Sequence, residues 1–538
     1  MNLPFVLDIG IGLIFIYLTL SLLASELQEL LTTLLQWRAQ HLKQAIETLL
    51  AGESKLQTGQ TSAETQAIDD QILRSKELAV SLYNHPLIRS LNQESKGILG
   101  SIAQGISQLT RATKTFSGKA SGPSYLPSET FSTTLLETLR AGDLFQTLSE
   151  LKLSKFVSEK LLNPVFDIVS DLRNSKANES LLERETQKFE AEITAIMQSF
   201  SRRETTLSNG FSQITTAVNR LRSSAEAVLP ENDALSAVFL KRLAAIEQDV
   251  PSQLRESGPS IIEVVSELNN MAWVAQSLQK ANGDYRTVVA RLPDATLRQR
   301  FQAGYDLLQT MNQAVKESSQ GRENFQAILT KVSPNLRDSL DMLAKRAQSK
   351  VETVEQGAAQ LQKEVALWFD RSMERSTGVY KRNAKGVAIV IGFLLAVTTN
   401  TDTLHVVNRL AKDPTLRAAY TQVANKVVEN NPDALVCLQS QQGKAAQAKC
   451  LPDNTAILQD AINSSTDLPI GWNETNWHDQ WQTATPGPVV SGLKVLGGWF
   501  VSAIAISMGA PFWFNMLNKV INVRNSGRPP APANEEET

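Results

Sequence analysis

The side chains best suited to proton transfer and metal ligation are few and dispersed. Histidines stand at His41, His85, His405 and His478, and cysteines at Cys437 and Cys450. No two histidines share a helical face at i, i+4, and none neighbours a cysteine at zinc-site spacing. His85 precedes Pro86 with no acid–base partner nearby, so it reads as a capping or packing residue and not a catalyst. The glycine patterns of a P-loop, a dinucleotide fold and a nucleophile elbow are absent. Gly118-Lys119-Ala120-Ser121-Gly122 has the wrong spacing for the elbow and no strand before it. A di-iron centre in a helical bundle needs Glu-x-x-His pairs on two helices, and the sequence has none. The expectation is a protein that is not an enzyme, with no cofactor, no metal and no small-molecule ligand.

Ionisable or amide side chains inside a membrane are functional by default. Asp8, Asn400, Asp402 and Lys494 are the candidates, and each lies near the outer end of an apolar run. Hydration at the interface is the blander reading, and a proton or ion path the sharper one. The cysteine pair raises a different chemistry. A Cys437–Cys450 bridge would close a short loop and contribute roughly 3 kcal/mol on the chain-entropy model, given an oxidising compartment. The alternative is two unpaired thiols.

The elements that would carry these residues are apolar runs and long helices. Residues 3–24 form a first run of the length a bilayer-spanning helix needs. Met1 and Asn2 bring no positive charge, and a helical rhythm continues past Ala24, so the run reads as an uncleaved anchor, not a signal peptide. Residues 386–404 form a second run, with Ala388, Gly392 and Ala396 on one side, which permits close helix approach. Residues 489–514 form a third, ending in Gly509-Ala510-Pro511-Phe512-Trp513-Phe514, where aromatics suit the headgroup interface. Basic residues Arg371, Arg375, Lys381, Arg382 and Lys385 precede the second run, and Lys519, Arg524 and Arg528 follow the third. Placing both clusters in the cytoplasm gives three spans, N-terminus out and C-terminus in.

Between the first two runs the chain reads as helix throughout. The 53 basic and 55 acidic residues nearly balance, which excludes a general nucleic-acid binder. Aromatics are sparse at 6%. Over residues 179–228, Phe189, Ile193, Ile196, Phe200, Leu207, Phe211, Ile214, Val218 and Leu221 step by three and four, a heptad-like seam with one position skipped near Arg203 or Glu204. Prolines 230, 251, 259, 293 and 334 are each expected to end one helix and admit the next.

Four stretches carry a resemblance. The first is residues 8–18, followed by Ser25-Glu26-Leu27-Gln28-Glu29 and Trp37-Arg38-Ala39. The second is His85-Pro86-Leu87-Ile88 with Pro123-Ser124-Tyr125-Leu126-Pro127 and Phe131. The third is Trp368-Phe369-Asp370, Met373, Arg375, Gly378 and Tyr380-Lys381-Arg382. The fourth is residues 509–514 with Leu517-Asn518-Lys519, Asn522, Arg524 and Gly527. In this order they resemble a family of bacterial integral membrane proteins, found in proteobacteria and cyanobacteria, with no activity to carry over. The resemblance covers about residues 1–140 and 333–530 and makes the helical middle an enlarged insertion. Relatives often carry Asp at the position of Asn515, which removes any role requiring a carboxylate there. The implied working part is a membrane-proximal assembly of Trp368, Asp370, Arg375, Tyr380, Lys381, Arg382, Pro511 and Trp513.

The expected organisation is all-α. A transmembrane helix (1–24) leads to a membrane-proximal helical domain (25–145), a bundle or coiled-coil insertion (146–332) and a helix approaching the membrane (333–385). A second span (386–404), an outer loop (405–488), a third span (489–514) and a cytoplasmic tail with a disordered end (515–538) complete it. The expected role is a membrane-anchored scaffold or sensor in a bacterial inner membrane, with its bulk cytoplasmic. It would associate with itself or a protein partner through coiled coils. The alternative is a subunit of an oligomeric channel or transporter.

Overall fold

A computed structural model describes residues 3–34, 37–52, 62–91, 122–317, 325–351, 356–430, 469–481 and 488–526. Every regular element among the described residues is helical. The first helices are α1 (Leu3–Leu34), α2 (Trp37–Ala51), α3 (Ser62–Asn84), α4 (Pro86–Ser90), α5 (Ser128–Thr138) and α6 (Ala141–Phe156). A wider π-type turn, Val157–Leu162, leads to α7 (Asn163–Ser175), α8 (Glu183–Ser201), α9 (Leu207–Val228) and α10 (Ala234–Ser257). Then come α11 (Ile261–Lys280), α12 (Tyr285–Arg291), α13 (Ala295–Glu317), α14 (Phe325–Thr330) and α15 (Pro334–Gln348). The last are α16 (Gly357–Thr398), α17 (Thr403–Lys412), α18 (Pro414–Asn430), α19 (Glu474–Trp481), α20 (Pro488–Ser507) and α21 (Ala510–Ser526).

The chain forms two compact units. One comprises residues 42–94 and 116–374, the other residues 1–41, 95–115 and 375–538. The first unit, the helical body, has two apolar cores. In the larger, Ile46, Leu82 and Phe131 meet Met271, Phe301 and Phe369. Phe131 and Phe369 stack with ring centres 4.2 Å apart. The smaller core runs only from Leu153 to Val250. The expected single insertion over 146–332 is therefore divided. Residues 153–250 form a lobe, while α11, α13 and α14 contribute Met271, Phe301 and Phe325 to the larger core.

Two expectations about the lobe need correction. The seam of residues 179–228 belongs to two helices, and its skipped position is the turn between them. Arg203 takes a left-handed backbone there, at φ +62°, and α8 and α9 pack on each other through the seam residues, all of them buried. Pro251 does not end a helix either; it lies inside α10. A proline removes one backbone hydrogen bond and crowds the carbonyl four residues back. Here Val250 beside it is only 2% exposed and belongs to the lobe core, so packing keeps the helix continuous.

In the second unit α1 is central. Among the described residues two helices are long and apolar enough to cross a membrane: α1 over Phe5–Thr32 and α20 over Val490–Ser507. The bent pair α16 and α17 makes a third if it counts as one span. Ile11, Phe15, Ile16, Tyr17 and Leu18 are almost wholly buried by neighbouring helices. A helix apolar on all sides needs such cover or lipid. α16 runs antiparallel to α1, with Gln28 Nε2 donating to Ala384 O at 3.2 Å. Its continuation α17 reaches Gly12, against which Leu410 packs.

The third apolar run does not form one span to residue 514. α20 stops at Ser507, and Gly509 turns the chain with φ +87°, a conformation that favours glycine. Pro511 then sits in the first turn of α21, where its missing N–H costs nothing. α21 folds back along α1: Trp513 rests on Tyr17 with ring centres 4.8 Å apart, and Arg524 pairs with Asp8 at 3.0 Å. Residues 515–526, expected as tail, are thus packed helix. The end of α21 and the start of α1 therefore lie at the same end of the bundle.

Candidate functional site

The densest polar cluster among the apolar helices surrounds the break between α16 and α17. The local sequence builds the break in two steps. Asn400 takes a left-handed conformation (φ +47°). Thr401 N–H returns to Ala396 O at 2.8 Å and Asn400 N–H to Val397 O at 3.1 Å, a Schellman ending. Two residues later Asp402 caps α17, its Oδ1 accepting from Leu404 N–H at 2.8 Å and His405 N–H at 3.4 Å. The two helix axes differ by 50°.

Non-helical backbone surrounded by apolar helices must have its polar groups satisfied by protein, and here neighbours supply the partners. Trp472 Nε1 donates to Val397 O and Thr398 O at 3.0 and 3.1 Å. Gly471 N–H donates to Thr399 O at 2.7 Å. Asn400 Nδ2 donates to Gly471 O and Gln480 Oε1, while its Oδ1 accepts from Trp499 Nε1 at 3.3 Å. Asn476 gives amide hydrogens to Ile470 O and Gly471 O, so its Oδ1 is the acceptor facing His405. His405 Nε2, 3.0 Å away, therefore carries a proton. Tyr17, Thr403 and Ser502 join in a chain of hydroxyls, at 2.6 and 2.7 Å.

Asn400 and Thr401 are fully buried and Asp402 is 3% exposed. This corrects the placement of Asn400 and Asp402 at hydrated span ends: they are enclosed by protein beside Tyr17, midway along α1. Close packing makes the enclosure possible. A methyl group at Gly498 would overlap the Asp402 carboxylate, and one at Gly392 would come within 2.7 Å of Ala503 O. Asp8 is the ion-paired partner of Arg524, and Lys494 is exposed on α20. Chemically, the junction is a hydrogen-bonded latch. Its one carboxylate is committed to capping, and Gln480 Nε2 remains as a buried donor without an acceptor.

The membrane-proximal residues do not converge on one centre. Trp368 packs against the larger core of the helical body, and Asp370 is exposed on that unit. Arg375 and Arg382 are exposed on α16 in the other unit. The side chains of Tyr380 and Lys381, and both Cys437 and Cys450, lie outside the described residues. Pro511 and Trp513 do join the α1 assembly, where Trp513 Nε1 donates to Ala505 O at 2.7 Å. His85 caps α4, its Nδ1 facing Leu87 N–H at 3.4 Å and its Nε2 3.2 Å from Glu137. Burial pushes the His85 imidazole below its ordinary value, outweighing the pull of Glu137.

Sequence reasoning missed Tyr17, Thr403, Trp472, Asn476 and Gln480 as members of this cluster, while the small-residue spacing of Gly498 and Ser502 pointed to close packing. One signal was present: Asn400 followed by Asp402 is a helix stop joined to a helix start. No family model, curated protein or solved structure matches the chain.

Proposed function

We propose that this protein is a membrane-anchored helical scaffold or sensor-like protein that acts by associating with other protein. The observation that carries the membrane part is the outer face of α20, where Leu493, Leu496, Phe500, Val501 and Ile504 are each 41–64% exposed. A contiguous apolar face of that size needs lipid or protein cover. Lipid suits it, since the same helix is long and apolar enough to span. The association part is supported by the helical body, which has cores of its own and carries long polar helix faces into the surroundings.

The orientation follows from charge. Ala384 lies beside Gln28, so the basic cluster up to Lys385 stands at the Gln28 end of α1, opposite Asp8 and Arg524. Assigning the larger basic cluster to the cytoplasm makes the helical body cytoplasmic and puts both Asp8 and Arg524 outside. Cross-linking in native membranes, followed by extraction with carbonate, tests the proposal. The expected result is a carbonate-resistant protein cross-linked to itself or to one partner. Carbonate release, or monomer alone at every cross-linker length, overturns it.

A second reading, a subunit of an oligomeric channel or transporter, is favoured by one observation: a broken helix with buried polar groups beside Tyr17. Transporters build substrate and ion sites at such breaks. Ion flux in vesicles that is carried by the wild type and lost in Asp402→Asn supports this reading. Identical flux in the two chains removes it.

A further inference from the structure

The described residues 469–481 and α20 bring together four tryptophans. Trp472 lies 5.8 Å from both Trp477 and Trp499, and Trp477 stacks on Trp481 at 5.2 Å. Trp472 and Trp477 are 47% and 45% exposed. An exposed indole cluster of this size is costly in water. The cluster has a polar side and an apolar side. On α19 the neighbouring outward residues are Glu474 and His478. On α20 the apolar face leads away from it through Leu496 and Phe500.

Indoles with one wet and one apolar flank belong at the headgroup level of a bilayer, where amphipathic rings gain most. We infer that Trp472 and Trp477 form a lipid-docking surface that sets one lipid–water boundary of the protein. The occupant is the bilayer's own headgroup and upper acyl region, and the inference rests on the membrane reading given above. One feature agrees. From Tyr17 toward the Gln28 end, α1 and α16 present Leu23, Leu27, Val390 and Leu394 outward. The end of α16 holds two of the tryptophans: Trp472 Nε1 donates to Val397 O and Thr398 O, and Trp499 Nε1 donates to Asn400 Oδ1.

The test uses full-length protein in phosphatidylcholine vesicles containing nitroxide-labelled lipid, with the label either near the headgroup or at the chain end. The emission lost on Trp472→Phe/Trp477→Phe substitution is the signal of these two rings. It should be quenched roughly twofold more strongly by the shallow label than by the deep one. Trp477→Phe alone, which leaves the Trp472 hydrogen bonds in place, should give the same ratio. Equal quenching, deeper quenching or none overturns the inference. Phe500→Trp in the doubly substituted chain separates the two levels of failure. If that reporter is quenched by the deep label while Trp472 and Trp477 are not quenched, only the boundary assignment fails. If no reporter is quenched, the membrane reading fails with it.

Discussion

Arg524 Nε lies 3.0 Å from Asp8 Oδ1, tying the last turns of α21 to the first turns of α1. The contact links residues at opposite ends of the sequence and fixes which end of the bundle the carboxyl-terminal helix reaches. Val6 and Val523, close to the pair in sequence, are 49% and 58% exposed. With Cys437 and Cys450 replaced by serine, Val6→Cys and Val523→Cys should react with a membrane-impermeant maleimide from the same side. Labelling from opposite sides would mean that α21 does not fold back along α1.

Gly498 is expected to tolerate no side chain. Gly498→Ala forces its methyl into the buried Asp402 carboxylate, and overpacking of this kind costs about 1–3 kcal/mol. Gly497, with nothing within 4 Å of an added methyl, is the matched control and should accept alanine without effect on packing. Thermal unfolding in detergent reads both. Adding Asp402→Ala to Gly498→Ala should give a loss smaller than the two single losses combined, since the residues touch. Simple additivity would place the cost elsewhere.

The helical body should lose stability on mild acidification through His85. Its folded value is depressed by burial, so the unfolded chain takes up a proton at a pH where the folded one does not. The contribution is complete above the ordinary value of 6.5 and declines as pH falls through the lower folded value. His85→Asn keeps a cap for α4 and should flatten this slope between pH 8 and pH 5 in urea titrations. His85→Ala should flatten it too, but lose about 0.5–2 kcal/mol of capping at all pH values. An unchanged slope in His85→Asn would assign the acid sensitivity to other groups.

Glu364 is 1% exposed, and Lys350 reaches it at 2.5 Å and Arg346 at 3.8 Å. Burial pushes this carboxyl up, but the hydrogen bonds from Lys350 and Gln360 and the nearby Arg346 charge outweigh it and hold the group below its ordinary value. Lys350→Ala leaves a buried carboxylate short of a partner and should cost about 1–3 kcal/mol. Glu364→Gln leaves only half-exposed cations, which water can solvate, and should cost less. Chemical denaturation of the two variants checks the order. The reverse order would mean that solvent reaches Glu364 freely.

The helices were legible because their signals are local. Pro230, Pro259, Pro293 and Pro334 mark real boundaries, and the seam residues from Phe189 to Leu221 are all buried. The turn inside that seam was hidden because two antiparallel helices can continue one three-and-four pattern across a short connection. Asn400 and Asp402 were misjudged for a related reason. Distance from the edge of an apolar run measures depth only if the run is a straight rod, and here the chain bends and continues along α1 to Gly12. The hydroxyl chain of Tyr17, Thr403 and Ser502 is assembled from remote segments, and periodicity carries no information about such meetings.

The chain leaves the larger core of the helical body along α6 and returns along α11. Lys152 and Glu263, one on each strand of this passage, form an ion pair at 2.7 Å. Everything between them supports its own core. The lobe is therefore a cassette held along one helix: besides the Lys152–Glu263 pair, Arg203 reaches Asp143 and Gln146 donates to Phe200 O, all on the flank of α6.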